Sequence, residues 1–248
     1  MSDLLATKIL CIFYSSGGIG DVGRHVVRAA LDAFDGKIRV LSKDPQKTLL
    51  EESNWKSYGE HKISEEELKR LDLQKIDVEK DDLTPHLENV GVVISALGNR
   101  QPFFGENVAQ QGTNNIVKCM KDQKVDRLVS VTSTGCNEDW PPLQWHWTGK
   151  VFKWVLRTVG RKGLRDLNRA EESIFASDLN YLIVRPVGLG EDVAPKGEWV
   201  IQKDKYKDKV GVELSKLDCA RFCVKEALTP TYEKKAVVIG SDWETSTL

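Results

Sequence analysis

Residues Lys8 to Gly23 read KILCIFYSSGGIGDVG, a short apolar run that breaks into Gly17-x-x-Gly20-x-x-Gly23 and continues into an amphipathic stretch carrying Val22, Val26, Val27, Ala30, Leu31 and Phe34. That order predicts a buried strand, a tight turn and a helix packed back on a sheet. Each glycine has its own physical reason. Gly17 takes a backbone conformation that a side chain would forbid, Gly20 lets the backbone approach a pyrophosphate, and Gly23 lets the new helix lie close to the strand. The free N–H groups of the first helical turn then face the anion, so the turn is expected to hold a dinucleotide without a dedicated cation.

The rest of the chain alternates in the same way. Apolar runs rich in Val, Ile and Leu predict strands at 8–14, 37–41, 71–78, 90–95, 127–132, 181–185 and 236–239. Helical patterns fall at 21–34, 106–121, 164–176 and 216–228, the last opened by Ser215 with Asp218 three residues on, a capping-box-like start. The expected architecture is α/β, a single Rossmann-type doubly wound domain over residues 1–248, with a mostly parallel sheet and helices on both faces. Two stretches break the rhythm and are read as insertions: the charged segment 44–70 and the tryptophan-rich segment 139–162.

Bulk properties narrow the function classes. With 36 basic and 37 acidic residues in 248, the formal net charge is -1, and no global field points to nucleic acid or a membrane. The N-terminal apolar run Ile9 to Phe13 is shorter than a signal-peptide core, and no stretch approaches membrane-spanning length, so a soluble, cytoplasmic protein without a membrane span is expected. Five cysteines, Cys11, Cys119, Cys136, Cys219 and Cys223, lack CxxC pairing, and the four histidines are scattered. Neither a disulfide framework nor a metal site is expected. Cys219 and Cys223, four apart, read as buried thiols on one helix face rather than a redox pair.

The end of the second strand bears on the nucleotide. A carboxylate there would hydrogen-bond a ribose 2′-hydroxyl and repel a 2′-phosphate. Here the residues are Val40-Leu41-Ser42-Lys43-Asp44. Ser42 supplies a hydrogen bond and Lys43 a charge, which favours NADP(H). Asp44 is the competing feature, since its carboxylate could serve a 2′-hydroxyl, and Arg24 is a second candidate phosphate partner.

At this point the residues resemble the atypical short-chain dehydrogenase/reductases of the NmrA-like and biliverdin/flavin-reductase-like type. Ser16-Gly17-Gly18-Ile19-Gly20-Asp21-Val22-Gly23 matches the family's TGATGxxG turn. Ile76-Asp77-Val78 is similar to the segment that meets the adenine, and Ile94-Ser95-Ala96-Leu97-Gly98 to the fourth-strand exit beside the cofactor. Asn107 to Asn115, NVAQQGTNN, resembles the fourth-helix pattern. Val131-Thr132-Ser133-Thr134-Gly135 resembles the fifth-strand exit VSSxG, where the active-site serine or threonine commonly lies. Arg169-Ala170-Glu171-Glu172 and Asp178 to Pro186, DLNYLIVRP, resemble the RAEE and DYTIVRP signature. The resemblance runs through nearly the whole chain. It implies a cofactor site built from residues 16–24, Ser42, Lys43, Asp77, Val78, 95–98, Thr132, Ser133 and Pro186, with Ser133 at the reacting end.

The departures are equally informative. The superfamily's Tyr-x-x-x-Lys pair, in which an ammonium lowers a phenol's pKa for proton transfer, has no counterpart at the helix positions ahead of Arg169-Ala170-Glu171-Glu172 where the resemblance would put it. The corresponding helix positions hold Gly163 or Leu164 and Leu167 or Asn168. Asp21 places a carboxylate near the expected pyrophosphate, a repulsion relieved if it turns away or meets Arg24. His146, with Lys150 four residues on, has the spacing of the missing pair and is a candidate substitute acid. It lies among Trp140, Trp145, Trp147 and Trp154, after Pro141-Pro142, so the alternative is a lid or a partner surface. Val151, Phe152, Val155, Leu156 and Val159 recur at helical spacing, which reads as core or interface. Two function classes follow. One is a reductase passing hydride from NADPH to a planar small-molecule acceptor, such as a flavin or quinone. The other is a non-catalytic NADP-binding regulator or assembly factor, contacting a protein partner or a second copy through 139–162.

Overall fold

The computed structural model describes residues 8–15, 22–51, 62–98, 107–139, 147–190, 194–197, 199–202, 210–211 and 213–242. The chain runs β1 (Ile9–Tyr14), α1 (Val22–Ala33), β2 (Ile38–Ser42), α2 (Pro45–Leu50), α3 (Glu65–Leu68), β3 (Leu71–Lys75), β4 (Val90–Ala96), α4 (Val108–Asp122) and β5 (Arg127–Val131). It continues with α5 (Trp147–Thr158), α6 (Arg161–Phe175), β6 (Asn180–Pro186), β7 (Gly188–Gly190), β8 (Val200–Gln202), β9 (Glu213–Ser215), α7 (Lys216–Leu228) and β10 (Lys235–Gly240).

One sheet has the strand order β3-β2-β1-β4-β5-β6-β10-β8. Every pairing in it is parallel except β8 against β10. Side chains alternate across the strands, so β1 feeds both faces. Leu10, Ile12 and Tyr14 join the core beneath α1 and α7, while Cys11 and Phe13 join the opposite core with Ile116 and Met120 of α4 and Ile174 of α6. This is the doubly wound α/β architecture read from the sequence. The order reverses between β1 and β4, which opens a crevice at the carboxyl ends of those strands.

Several boundaries differ from expectation. The third strand ends at Lys75 rather than 78, because Asp77 and Val78 turn away: the amides of Lys80 and Asp81 both donate to Asp77 O. The charged segment 44–70 is not a featureless insertion. Asp44 accepts the Lys47 amide at 3.3 Å to cap α2, and Ser64 and Glu67 form a reciprocal capping box on α3. The short strands β7, β8 and β9 were not expected; β7 and β9 form a separate two-stranded parallel sheet. Cys219 and Cys223 are both buried in α7, as their spacing suggested.

Candidate nucleotide site at the carboxyl edge of the sheet

The glycine turn enters the described structure at Val22 and Gly23, both buried at the start of α1. A Cβ on Gly23 would lie 2.1 Å from Tyr14 Cβ, so the helix touches the strand at a distance only glycine permits. Arg24 is also buried there. Ser16, Gly17, Gly18, Ile19, Gly20 and Asp21 lie outside the described residues.

Across the crevice, the Gly98 amide donates to Ser15 Oγ at 3.2 Å, tying the exits of β1 and β4 together. Among the described residues, apart from its chain neighbours, none comes within 4 Å of where a Gly98 Cβ would project. Ser95, Ala96 and Leu97 are buried just before it, and among the described residues Ser95 Oγ has no hydrogen-bond partner. Gly112 of α4 also has a contact reason: its Cβ would fall 2.7 Å from Leu97 Cδ1 and 3.0 Å from Val78 Cγ1. Asn115, one helical turn on, donates to Val78 O at 3.0 Å and to Asp81 O at 2.9 Å. The Asn107 to Asn115 pattern thus holds the Asp77–Val78 segment against the crevice.

At the exit of β2, Ser42 is buried, and among the described residues its Oγ closes no hydrogen bond of full geometry. The Tyr14 phenol lies beside Ser42 and Thr48; burial pushes its pKa up to about 12, outweighing the pull of those two hydroxyls. Unpaired buried hydroxyls are uncommon without a ligand or water to complete them, so this corner fits a bound ribose. Lys43 is half exposed and already engaged, with Nζ 3.1 Å from Glu79 and 3.3 Å from Asp77. Burial acts to lower its pKa, but the two carboxylates outweigh burial and raise it. Asp44, weighed above as a 2′-hydroxyl partner, spends one carboxylate oxygen on the α2 cap.

The other end of the crevice is organised by a residue outside the sequence-derived site. Glu171 of α6 is fully buried and accepts four hydrogen bonds. Arg185 Nε and Nη2 approach its two oxygens at 3.0 and 2.5 Å, Thr132 Oγ1 donates at 2.7 Å and Asn137 Nδ2 at 2.5 Å. Arg185 Nη1 also reaches Asp139 at 2.6 Å. Burial would depress the Arg185 pKa, but Glu171 and Asp139 reverse that and raise it. The backbone over this network is strained: Asn137 and Glu138 have φ of 52° and 58°. Asn137 is fixed there by Glu171 and by Asn168 Oδ1, which accepts its amide at 3.0 Å.

Thr132 is therefore tied into the scaffold, while among the described residues Ser133 Oγ donates only to its neighbour's carbonyl, Thr134 O, at 3.1 Å. Pro186 is buried at the end of β6, its carbonyl accepting the Thr134 amide at 3.0 Å. Gly163 and Leu164, and Leu167 and Asn168, stand on α6 where the proton-relay pair would fall. Asp166 of the same helix accepts the Ala109 and Gln110 amides at 3.0 and 2.8 Å, capping α4 from outside, and burial raises its pKa despite those bonds. His146 lies outside the described residues; Lys150, its counterpart in spacing, is exposed in α5. Arg185 did carry a sequence signal, since a charge inside the apolar run YLIVRP must find a buried partner, though the run does not say that the partner is Glu171.

A family model described as NAD(P)H-binding matches residues 17–230. The chain belongs to this family. The domain is an NAD(P)H-binding one, and its fold is that of solved short-chain dehydrogenase/reductases, the fold the motif-based reading expected. Over 94% of both chains it superposes, with a TM-score of 0.69 and 16% identity, on a short-chain dehydrogenase/reductase from Veillonella parvula in complex with NADP. ChuY from Escherichia coli O157:H7, described as an anaerobilin reductase, gives a TM-score of 0.63 at 18% identity, over 94% of this chain and 97% of that one. Protein TIC 62, chloroplastic, from Arabidopsis thaliana is 26% identical over 188 residues, 72% of this chain and 27% of that protein. The chain spans about a quarter to a third of the length of the curated relatives it matches. Among the described residues, no helix is long and apolar enough to cross a membrane.

Proposed function

We propose that the chain is an NADPH-dependent reductase that delivers hydride to a planar, conjugated small-molecule acceptor such as a flavin or quinone. Residues 16–24 would hold the pyrophosphate, Asp77 and Val78 the adenine, Ser42 and Lys43 the ribose and its 2′-phosphate, and Ser95 to Gly98, Thr132, Ser133 and Pro186 the nicotinamide end. The Ser42 and Ser95 hydroxyls, unsatisfied among the described residues, support that placement. When bound, the dinucleotide supplies a hydride. The chain's task is then to fix the acceptor against it and exclude competing water.

The observation that carries the acceptor class is that the polar groups around Ser133 are already engaged with one another. Thr132 and Asn137 are held by Glu171, and Asn168 holds the Asn137 amide. No phenol–ammonium pair stands on α6. Ser133 can orient an acceptor but is a poor acid near neutral pH. An acceptor that takes its proton from solvent suits such a site. ChuY, whose name as a reductase accompanies the same fold, is consistent with this reading.

That α6 carries no Tyr-x-x-x-Lys pair also favours a second reading, a regulator or assembly factor whose protein contact follows NADP occupancy. One experiment separates the two. NADPH oxidation by the purified chain is measured against flavins, quinones and aldehydes, with NADP(H) and NAD(H) affinities in parallel. Turnover with a flavin or quinone supports the reductase. Tight nucleotide binding with no turnover supports the regulator, and no binding defeats both.

A further inference from the structure

Residues 147–165, covering α5 and the start of α6, read WTGKVFKWVLRTVGRKGLR: six basic residues and no acidic one, in a chain whose net charge is -1. The positions three and four residues from Trp154 on its helix are Lys150, Val151, Arg157 and Thr158, its neighbours on the surface. All four are exposed, as are Arg161, Lys162 and Arg165 beyond them. Trp154 itself is 64% exposed, with Val151 at 49% and Val159 at 52%. Of the basic side chains, Arg157 meets the Glu138 carboxylate at 2.7 Å. The result is an α5 face with an indole at its centre flanked by Lys150 and Arg157, followed by exposed Arg161 and Lys162 at the start of α6.

We propose that this face is a peripheral docking surface for an anionic lipid bilayer, with Trp154 seated at the headgroup level and Lys150, Arg157, Arg161 and Lys162 over acidic headgroups. Three features select that occupant. Charge complementarity requires an anionic surface. An indole has one apolar body and one N–H donor, and so partitions to the boundary between headgroups and acyl chains. The exposed pair Trp154 and Val151 is also flanked by cations, Lys150 and Arg157, rather than ringed by uncharged side chains. The core of a protein–protein interface is instead depleted of charged residues, lysine above all. A short amphipathic helix with a basic polar face binds reversibly rather than inserting, and its strength scales with both terms.

The test is co-sedimentation of the purified full chain with vesicles of phosphatidylcholine alone and of phosphatidylcholine containing roughly one-third phosphatidylglycerol. Binding to the anionic vesicles is expected, with little to the neutral ones. It should disappear near 1 M salt, where charges are screened beyond about 3 Å. Trp154→Ser and the double variant Lys150→Glu/Lys162→Glu should each weaken binding about tenfold or more. Both change exposed side chains, and an unchanged circular-dichroism melt verifies folding. Equal binding to neutral vesicles, indifference to salt, or wild-type binding by both variants overturns the proposal. So does a concentration-dependent dimer in sedimentation that Trp154→Ser dissolves while no vesicle binding is seen, an outcome that assigns the face to a second copy of the chain.

Discussion

The two ends of the crevice use the same chemistry, arginine or lysine against carboxylate, to opposite effect. At the β2 end, Lys43 is 48% exposed and shared between Asp77 and Glu79 at 3.3 and 3.1 Å. Solvent can replace either partner at little cost, since exposed pairs contribute about 0–1 kcal/mol. At the β5–β6 end, Arg185 and Glu171 are 6% and 0% exposed, and Thr132, Asn137 and Asp139 complete their hydrogen bonding. Desolvated charges of this kind are stable only as a complete set. One end can rearrange around a ligand; the other fixes the geometry against which a ligand is placed.

That contrast predicts its own largest consequence. Glu171→Ala leaves the Arg185 guanidinium buried and uncompensated, and should cost about 3–5 kcal/mol, lowering Tm by roughly 6–20 °C for a domain of this size. Chemical denaturation followed by circular dichroism measures it. A cost under about 1 kcal/mol would show that water reaches this end as freely as the other. The second effect falls at the open end and on affinity rather than stability. Lys43→Glu should weaken NADP(H) by about 1.5–3 kcal/mol, one charge-assisted contact, and reverse any preference over NAD(H). Equal affinity of the unmodified chain for both nucleotides, by calorimetry, would remove Lys43 from the phosphate site.

How much of this the sequence carried follows from sequence distance. Buried parallel strands announce themselves as apolar runs, so the core strands of the sheet were legible. The three-residue strands β7, β8 and β9 were not, because so short a segment holds no period. The glycine turn was legible for a local reason: Gly23 answers to Tyr14, nine residues away on the adjoining strand. The Glu171 network was not, because it joins residues from β5, the loop beyond it, α6 and β6, which only the sheet order brings together. Lys43 shows the limit in the other direction. Its position after β2 pointed to the ribose end and could not show that Asp77 and Glu79, more than thirty residues on, already hold it.

The reacting end yields the third prediction. Ser133→Ala removes one neutral hydrogen bond of about 0.5–1.5 kcal/mol, so turnover on whichever acceptor is reduced should fall roughly two- to thirteenfold. Folding should be unaffected, because among the described residues Ser133 Oγ is bonded only to its neighbour's carbonyl. A loss of several hundredfold at unchanged NADPH affinity would make Ser133 a proton donor in its own right.

The smallest effect is the sharpest test of the comparison, because its sign is unusual for a mutation at a binding site. Glu79 is 16% exposed on its side chain and holds Lys43 at 3.1 Å. A 2′-phosphate arriving at Ser42 and Lys43 must compete with that carboxylate for the same ammonium and approach it at close range. Glu79→Gln keeps the shape and removes the charge. If the open end rearranges around its ligand, the substitution frees Lys43 and improves NADP(H) affinity by about 0.5–1 kcal/mol, roughly two- to fivefold, the range of a partly solvated pair. NAD(H), which presents only a hydroxyl, should be nearly unaffected. The gain should shrink as salt is raised, because an exposed charge interaction is screened. Weaker binding of both nucleotides would instead mean that Glu79 positions Lys43 rather than competing for it, and the β2 end would then be a scaffold as rigid as that of Glu171 and Arg185.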